Sequence, residues 1–515
     1  MSDRRINLSL SPGWILAVLG LIIAGIVLWA AAPWGFVHWI FFDMLWMHPT
    51  GWVLIIIAIL IAVGVGMKDK SGYDGPGTIT WVVVILLLTG LVGYGLLSGA
   101  VAKKYLVQGL RPTALETLPE TTGVRYLPMP VAERFGANQI QDPAHHLGDM
   151  DPLDTGGEID WVAPRIPTGF WNTFNGQTDG FVVITPDGES ETIHQPMRYG
   201  EGMGITDNIT WQLWRMRYNV ELPEFYYIRL EDEVVTVGPY ISYRYEFPVR
   251  VPYWGGVFVT HADGRIEDLS PESAIADPRF EGQRLYPEEL ALRIAKAWAY
   301  RGGISNAWFT HRDQTEIPHI DGENNQMPYL IPTDQGPMWF IGMEPNGPAY
   351  SIFKVLFVNA HDGSLQLYEL PAESGMISPN RAGGYVRAAF PTYQWYKSGE
   401  ESSSGNLLVI EPRPLIRDGV LYWQMSITNV DYAGVTQTAL VNAENNGVVY
   451  FETLEEIQRF LEGTYAGRST AGVNQPVTGG ADQNPSTSSP LDLERMTEEE
   501  LWNLLRSITA ELESR

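Results

Sequence analysis

Residues 257–269 read VFVTHADGRIEDL, and the phrase returns as FVVITPDGESETI at 181–193, LFVNAHDGSLQLY at 356–368 and ALVNAENNGVVYF at 439–451. Each is an apolar run, a polar pair, an Asp-Gly or Asn-Gly step, and then a run of alternating polarity. Those dipeptides supply the positive φ that tight hairpins require, so each phrase predicts two antiparallel strands joined by a short turn. From 169 to 449, further short runs rich in Val, Ile, Tyr, Phe and Trp are separated by turn residues, the pattern of strands. Hairpins of one type suggest duplicated α+β modules, mainly antiparallel sheet.

Two helices stand out within this β-rich stretch. At 286–300, Pro287 suits a first-turn position, Glu288 and Glu289 lie at the positive end of the dipole, and Gly302-Gly303 stops the chain. Leu290, Ile294, Ala297 and Trp298 fall on one face. At 454–462, Thr453 and Glu456 form a capping box, with Gly463 as the stop.

The 286–300 helix, the strands around 328–342 and VLFVNAHDGSLQLYEL at 355–370 together resemble the small helix-plus-antiparallel-sheet module called PepSY. VNAHDGSLQLYELP with YVRAAFPTY at 385–393 is also similar to the extracytoplasmic region of an uncharacterised family of large bacterial multi-span membrane proteins. The module's usual Asp is replaced by Asn359 and Asn442 in this chain. The resemblance implies a cell-envelope location and a protein-contacting role, and carries no established chemistry.

The first hundred residues are of another kind. Uncharged apolar runs occupy 13–32, 51–67 and 79–100, and a spanning helix needs roughly 20 such residues. The middle run is short, but Trp52 at one interface and Lys68 snorkelling at the other let it cross. The expected anchor therefore has three spans. Arg4 and Arg5 before the first run, with small residues at 30–32, leave a signal peptide as the alternative. Residues 33–50 (PWGFVHWIFFDMLWMHPT) hold Trp34, Trp39 and Trp46 and read as an interfacial segment. Basic residues flank the N-terminus and the loop after the second run, while 33–50 has none. This bias puts the N-terminus in the cytoplasm and the large domain outside, although Lys103 and Lys104 pull the other way.

Net charge is −26, which argues against nucleic acid, because phosphate binding needs clustered Lys and Arg. Cysteine is absent, which removes disulfides, thiolate metal sites and Cys nucleophiles. P-loop, GxSxG and HExxH motifs are also absent.

Boundaries drawn on composition are a three-span anchor at 1–102 and an irregular Pro-rich connector at 103–168. A first β-rich module follows at 169–280, then a PepSY-like module at 281–375 and a second helix-plus-sheet module at 376–463. A flexible linker covers 464–490, with a reach of roughly 25–30 Å. The chain ends in an amphipathic helix at 491–515, whose Leu501, Trp502, Leu505, Ile508 and Leu512 form an apolar stripe. So short a helix is marginal alone and should dock on its own domain, on a neighbouring copy or on a protein partner.

Ligand-type side chains are densest in DPAHHLGDMDPLD at 142–154, where His145, His146, Asp149 and Asp151 could hold a metal. The competing reading is a surface loop stiffened by Pro143 and Pro152. His311, Asp313, His319 and Asp321 form a second such group, and TWQLWRMRY at 210–218 could present a Trp/Tyr platform to a sugar. No other cofactor is called for. The function expected from all this is a membrane-anchored scaffold or assembly subunit of a bacterial envelope complex, contacting the bilayer and a protein partner, and open to homo-oligomerisation. The alternative is an extracytoplasmic metal- or glycan-dependent enzyme or ligand-binding sensor.

Overall fold

In the strand Gly336–Pro345 successive side chains point to opposite faces, and both faces are apolar. Met338 and Phe340 enter one core, whereas Trp339, Ile341 and Met343 enter another. This strand lies inside a six-stranded sheet with Thr113–Leu115, Thr315–Glu316, Tyr329–Thr333, Lys354–Asn359 and Leu365–Glu369. Two layers cover it. On one face lie the helix Pro379–Ala389 and a five-stranded antiparallel sheet running from Leu407–Arg417 to Arg468–Ser469. On the other lies the helix Glu288–Ala297, whose Leu290, Ala291 and Ile294 are buried.

The computed structural model describes residues 35–69, 78–154, 159–204, 206–230, 233–320, 325–347, 351–371, 374–396 and 405–469, with isolated positions near 20–27. These belong to one compact unit, Met1–Val473. The tail stripe Leu501, Trp502, Leu505, Ile508 and Leu512 lies outside the described residues, as does almost all of the first apolar run.

All four repeated phrases form antiparallel hairpins, pairing Ile184 with Ser190, Thr260 with Ile266, Val358 with Leu365 and Val441 with Val448. The shared Val-Asn-Ala has a local cause. Asn359 Oδ1 accepts the backbone N–H of His361 and Asp362 at 2.8 and 3.1 Å. Asn442 Oδ1 does the same for Glu444 and Asn445 at 2.9 and 3.1 Å. Both are Asx turns that pre-shape the bend. Gly363 completes the first at φ +74°, with the Tyr286 ring where a Cβ would stand.

The stretch expected as an irregular connector is ordered instead. Met129–Gln139 is helical, and Asp151–Asp154 and His145–Leu147 pair with Ile159–Pro167. With Asp179–Ile184 and Ser190–Pro196 they build a five-stranded sheet. One face, with Trp161, Ala163 and Val182, packs on Val131 and Ala132 of that helix. The other meets Tyr227 and Val234 of a four-stranded sheet covering Tyr226–Leu230 to Ile266–Leu269. Pro143, Pro152 and Pro164 disguised these strands, because proline usually marks a strand edge or a turn.

Among the described residues one helix, Ile85–Val107 within Thr78–Val107, is by itself long and apolar enough to cross a membrane. Of the three expected spans, this is the one clear apolar helix among the described residues, and almost all of the first run lies outside them. The helix Pro49–Asp69 follows the helical segment before it at a bend of 74°. Pro49 causes the break, since a residue preceding proline is driven out of helical geometry. The segment 35–48 folds onto the body. His38 stacks on Trp214 at 3.8 Å, and Arg250 lies 3.8 Å over Trp46 while donating to its carbonyl at 2.6 Å. Trp214 and Tyr218, read as a sugar platform, are thus covered by His38 and Phe41.

Candidate functional site

Pro287 precedes the helix Glu288–Ala297 and offers no side chain to cap it. The orphan N–H of Glu288 needs an outside acceptor, and Glu224, from the strand entry, supplies its carboxylate at 2.8 Å. This cap draws together a set of charges at the junction of three elements. Arg284, buried in the loop before the helix, donates from Nη2 to Asp151 Oδ1 at 2.9 Å. Its guanidinium also lies 4.1 Å over the Tyr226 ring. Tyr226 Oη donates to the Arg284 carbonyl, and Tyr227 Oη donates to the Glu201 carboxylate.

Carboxylates outnumber cations here. Burial raises the Asp151 pKa, and the charge and hydrogen bond of Arg284 counter it. Burial likewise raises Glu201, opposed by its bond from Tyr227. Glu224 is pushed up to about 7 by burial despite Arg284, and Glu288 to about 8 by burial and then by the Glu224 charge. Burial works against the Arg284 charge, but Asp151 and Glu224 outweigh it and hold the guanidinium firmly protonated. The arrangement can therefore take up and release a proton near neutrality. The cavity beside Arg284 and Tyr226 is about 20 Å³, room for one water and far below a substrate pocket.

The four candidate metal ligands do not converge. His145 Nδ1 lies 2.7 Å from Asp142 Oδ2 and its Nε2 lies 3.1 Å from the Gln177 carbonyl. His146, the next strand residue, projects to the opposite face, where Nδ1 meets Thr168 Oγ1 at 2.7 Å. Asp149 is exposed, and Asp151 is claimed by Arg284. Among the described residues no three His, Asp or Glu side chains are grouped as a metal site. In the second group, His311 Nδ1 lies 2.7 Å from Gln314 Oε1, and Asp321 lies outside the described residues. Sequence reasoning singled out Asp151 as a ligand and Glu288 only as a helix-dipole residue, and missed Glu201, Glu224 and Arg284, which no motif links.

No family model matches the chain, and no curated protein matches it. Among solved structures it is similar to two mutant forms of the Synechocystis apocarotenoid oxygenase, at 10% and 9% identity with TM-scores of 0.18 and 0.16. Each likeness covers 59% of this chain, and the chain spans 60% of the oxygenase. Scores this low carry no argument about fold or activity.

Proposed function

We propose that this chain is a membrane-anchored interaction subunit of a bacterial cell envelope, its β-rich body held rigidly at the bilayer surface. The observation that carries the reading is the end of the apolar helix. Val107 is 1% exposed and shares a core with Leu290, Ile294 and Trp298. The helix thus enters the body instead of leading to it through a tether, while its upper turns, such as Leu96, stay uncovered by protein. Further apolar runs at 13–32 and 51–67 would complete a multi-pass anchor with the N-terminus in the cytoplasm and the body outside. The helix-on-sheet packing at 288–369 fits a PepSY-like unit, and the 491–515 stripe would recruit a partner or a second copy. Carbonate extraction followed by pull-down from detergent-solubilised membranes tests this. The chain should resist extraction and retain stoichiometric partners, with the partners lost on deleting 491–515.

A second reading, an envelope sensor responding to pH, is favoured by the near-neutral titration of Glu224 and Glu288 around Arg284. A proton-linked change in partner binding between pH 6 and pH 8, abolished in Glu288→Gln, would distinguish it from a passive scaffold.

A further inference from the structure

Where the apolar helix enters the body, an open cleft of about 1010 Å³ is lined by Trp298, Arg301, Ser305, Asn306, Arg312 and Leu367, among others. The helix adjoins its rim, because Lys103 Nζ lies 5.4 Å from the centre of the Tyr300 ring. In this acidic chain many arginines are matched by carboxylates, as with Arg217 and Asp268 at 2.6 Å, Arg279 and Glu267 at 2.7 Å, and Arg293 and Glu221 at 2.6 Å. Arg301 and Arg312, which face one cleft, are not. Arg301 stacks over Trp298 at 4.7 Å, and among the described residues neither guanidinium has a carboxylate partner. Lys354, on the same wall, is already neutralised by Glu369 at 2.8 Å, and Asp313 contributes one further carboxylate to the lining.

We propose that this cleft binds the phosphate of a phospholipid headgroup. Guanidinium forks match phosphate oxygens bidentately, and Ser305 and Asn306 add neutral donors beside them. Leu367 and Trp298 provide an apolar wall for the glycerol and upper acyl carbons. Trp308 and Phe309, in the segment bordering the cleft, are 39% and 75% exposed, as aromatics at headgroup depth are. Basic pockets beside spanning helices are suited to such headgroups. A soluble phosphate ester shares the recognition chemistry. The bilayer source is chosen because the cleft adjoins the apolar helix, and this step rests on the membrane-anchored reading.

The test uses the full chain purified in detergent, incubated with phosphatidylglycerol and analysed by native mass spectrometry after delipidation. One lipid per chain should be retained. Arg301→Ala and Arg312→Ala should each lower retention at least tenfold, whereas Arg229→Ala, removing an exposed charge on the strand Tyr226–Leu230, should not. Melting temperatures of the variants confirm that they remain folded, and Arg301→Lys, which keeps the charge but loses the fork, should retain an intermediate amount. Retention unchanged in the cleft variants, or lost equally in Arg229→Ala, overturns the proposal. Displacement of the lipid by equimolar glycerol phosphate also overturns it, in favour of a soluble ligand. Carbonate extraction reads the anchoring separately. A chain that stays in the membrane yet ignores the cleft substitutions defeats this inference alone.

Discussion

Arg284 is the residue on which the charge balance of the body turns. It faces Asp151 and Glu224 from a buried position, so removing it leaves carboxylates without a counter-charge. Breaking a buried pair in this way costs about 3–5 kcal/mol. Arg284→Met should therefore lower the denaturation midpoint of the full chain at pH 8, and less at pH 5, where Glu224 and Glu288 hold protons. Glu224 and Glu288 make a separate prediction. Both keep their protons in the folded chain at pH values where an unfolded glutamate has released them. Their contribution is complete below the ordinary glutamate range and is lost as pH rises through about 7 and 8. Melting temperature should fall between pH 5.5 and pH 8.5, and Glu288→Gln should flatten that fall. Of this cluster only Asp151 was marked beforehand as a site residue, one of several ligand-type residues in a Pro-rich stretch, while Glu288 was marked only for the helix dipole. Its partner Arg284 lies 133 positions away, and no local pattern announces a contact made by tertiary packing.

At the scale of elements, the hairpins were legible because their signal is short-range. Asp-Gly, Asn-Gly and the Asx-turn asparagines act within a few residues of the bend they create. Gly363→Ala should cost about 1–3 kcal/mol, because it puts a Cβ at positive φ and into the Tyr286 ring. A urea titration measures this. The strands at 145–167 were hidden by prolines, although Pro164 pairs with Phe181 inside the sheet. The break before the second apolar run went unseen for a different reason. Hydropathy reports composition, whereas the bend at Pro49 concerns backbone continuity. The end of the helix Thr78–Val107 offers a direct probe of its coupling to the body. Val107→Asp would bury an unpaired charge among Leu290, Ile294 and Trp298, at about 3–5 kcal/mol. Limited proteolysis should then cut after the helix, where the parent chain resists.

For the whole molecule, the sequence separated an apolar head from a β-rich body but could not say how firmly they are joined. The structure brings the hairpin 233–260 down to the helix pair. Thr50 Oγ1 donates to the Pro248 carbonyl at 2.6 Å, and Tyr105 Oη donates to the Phe247 carbonyl at 3.2 Å. Phe247 itself remains 74% exposed at the hairpin tip, where a bilayer surface would meet it. Rigid anchoring at this surface is the central claim, and the absence of native cysteine makes every introduced thiol a unique reporter. The most direct measurement is depth-dependent quenching of a fluorophore on single-cysteine variants of the full chain in liposomes. Leu96→Cys should be quenched by nitroxides near the bilayer centre, Phe247→Cys by nitroxides at headgroup depth, and Arg229→Cys by neither. A Leu96→Cys label as open to aqueous quencher as the Arg229→Cys label would contradict the account.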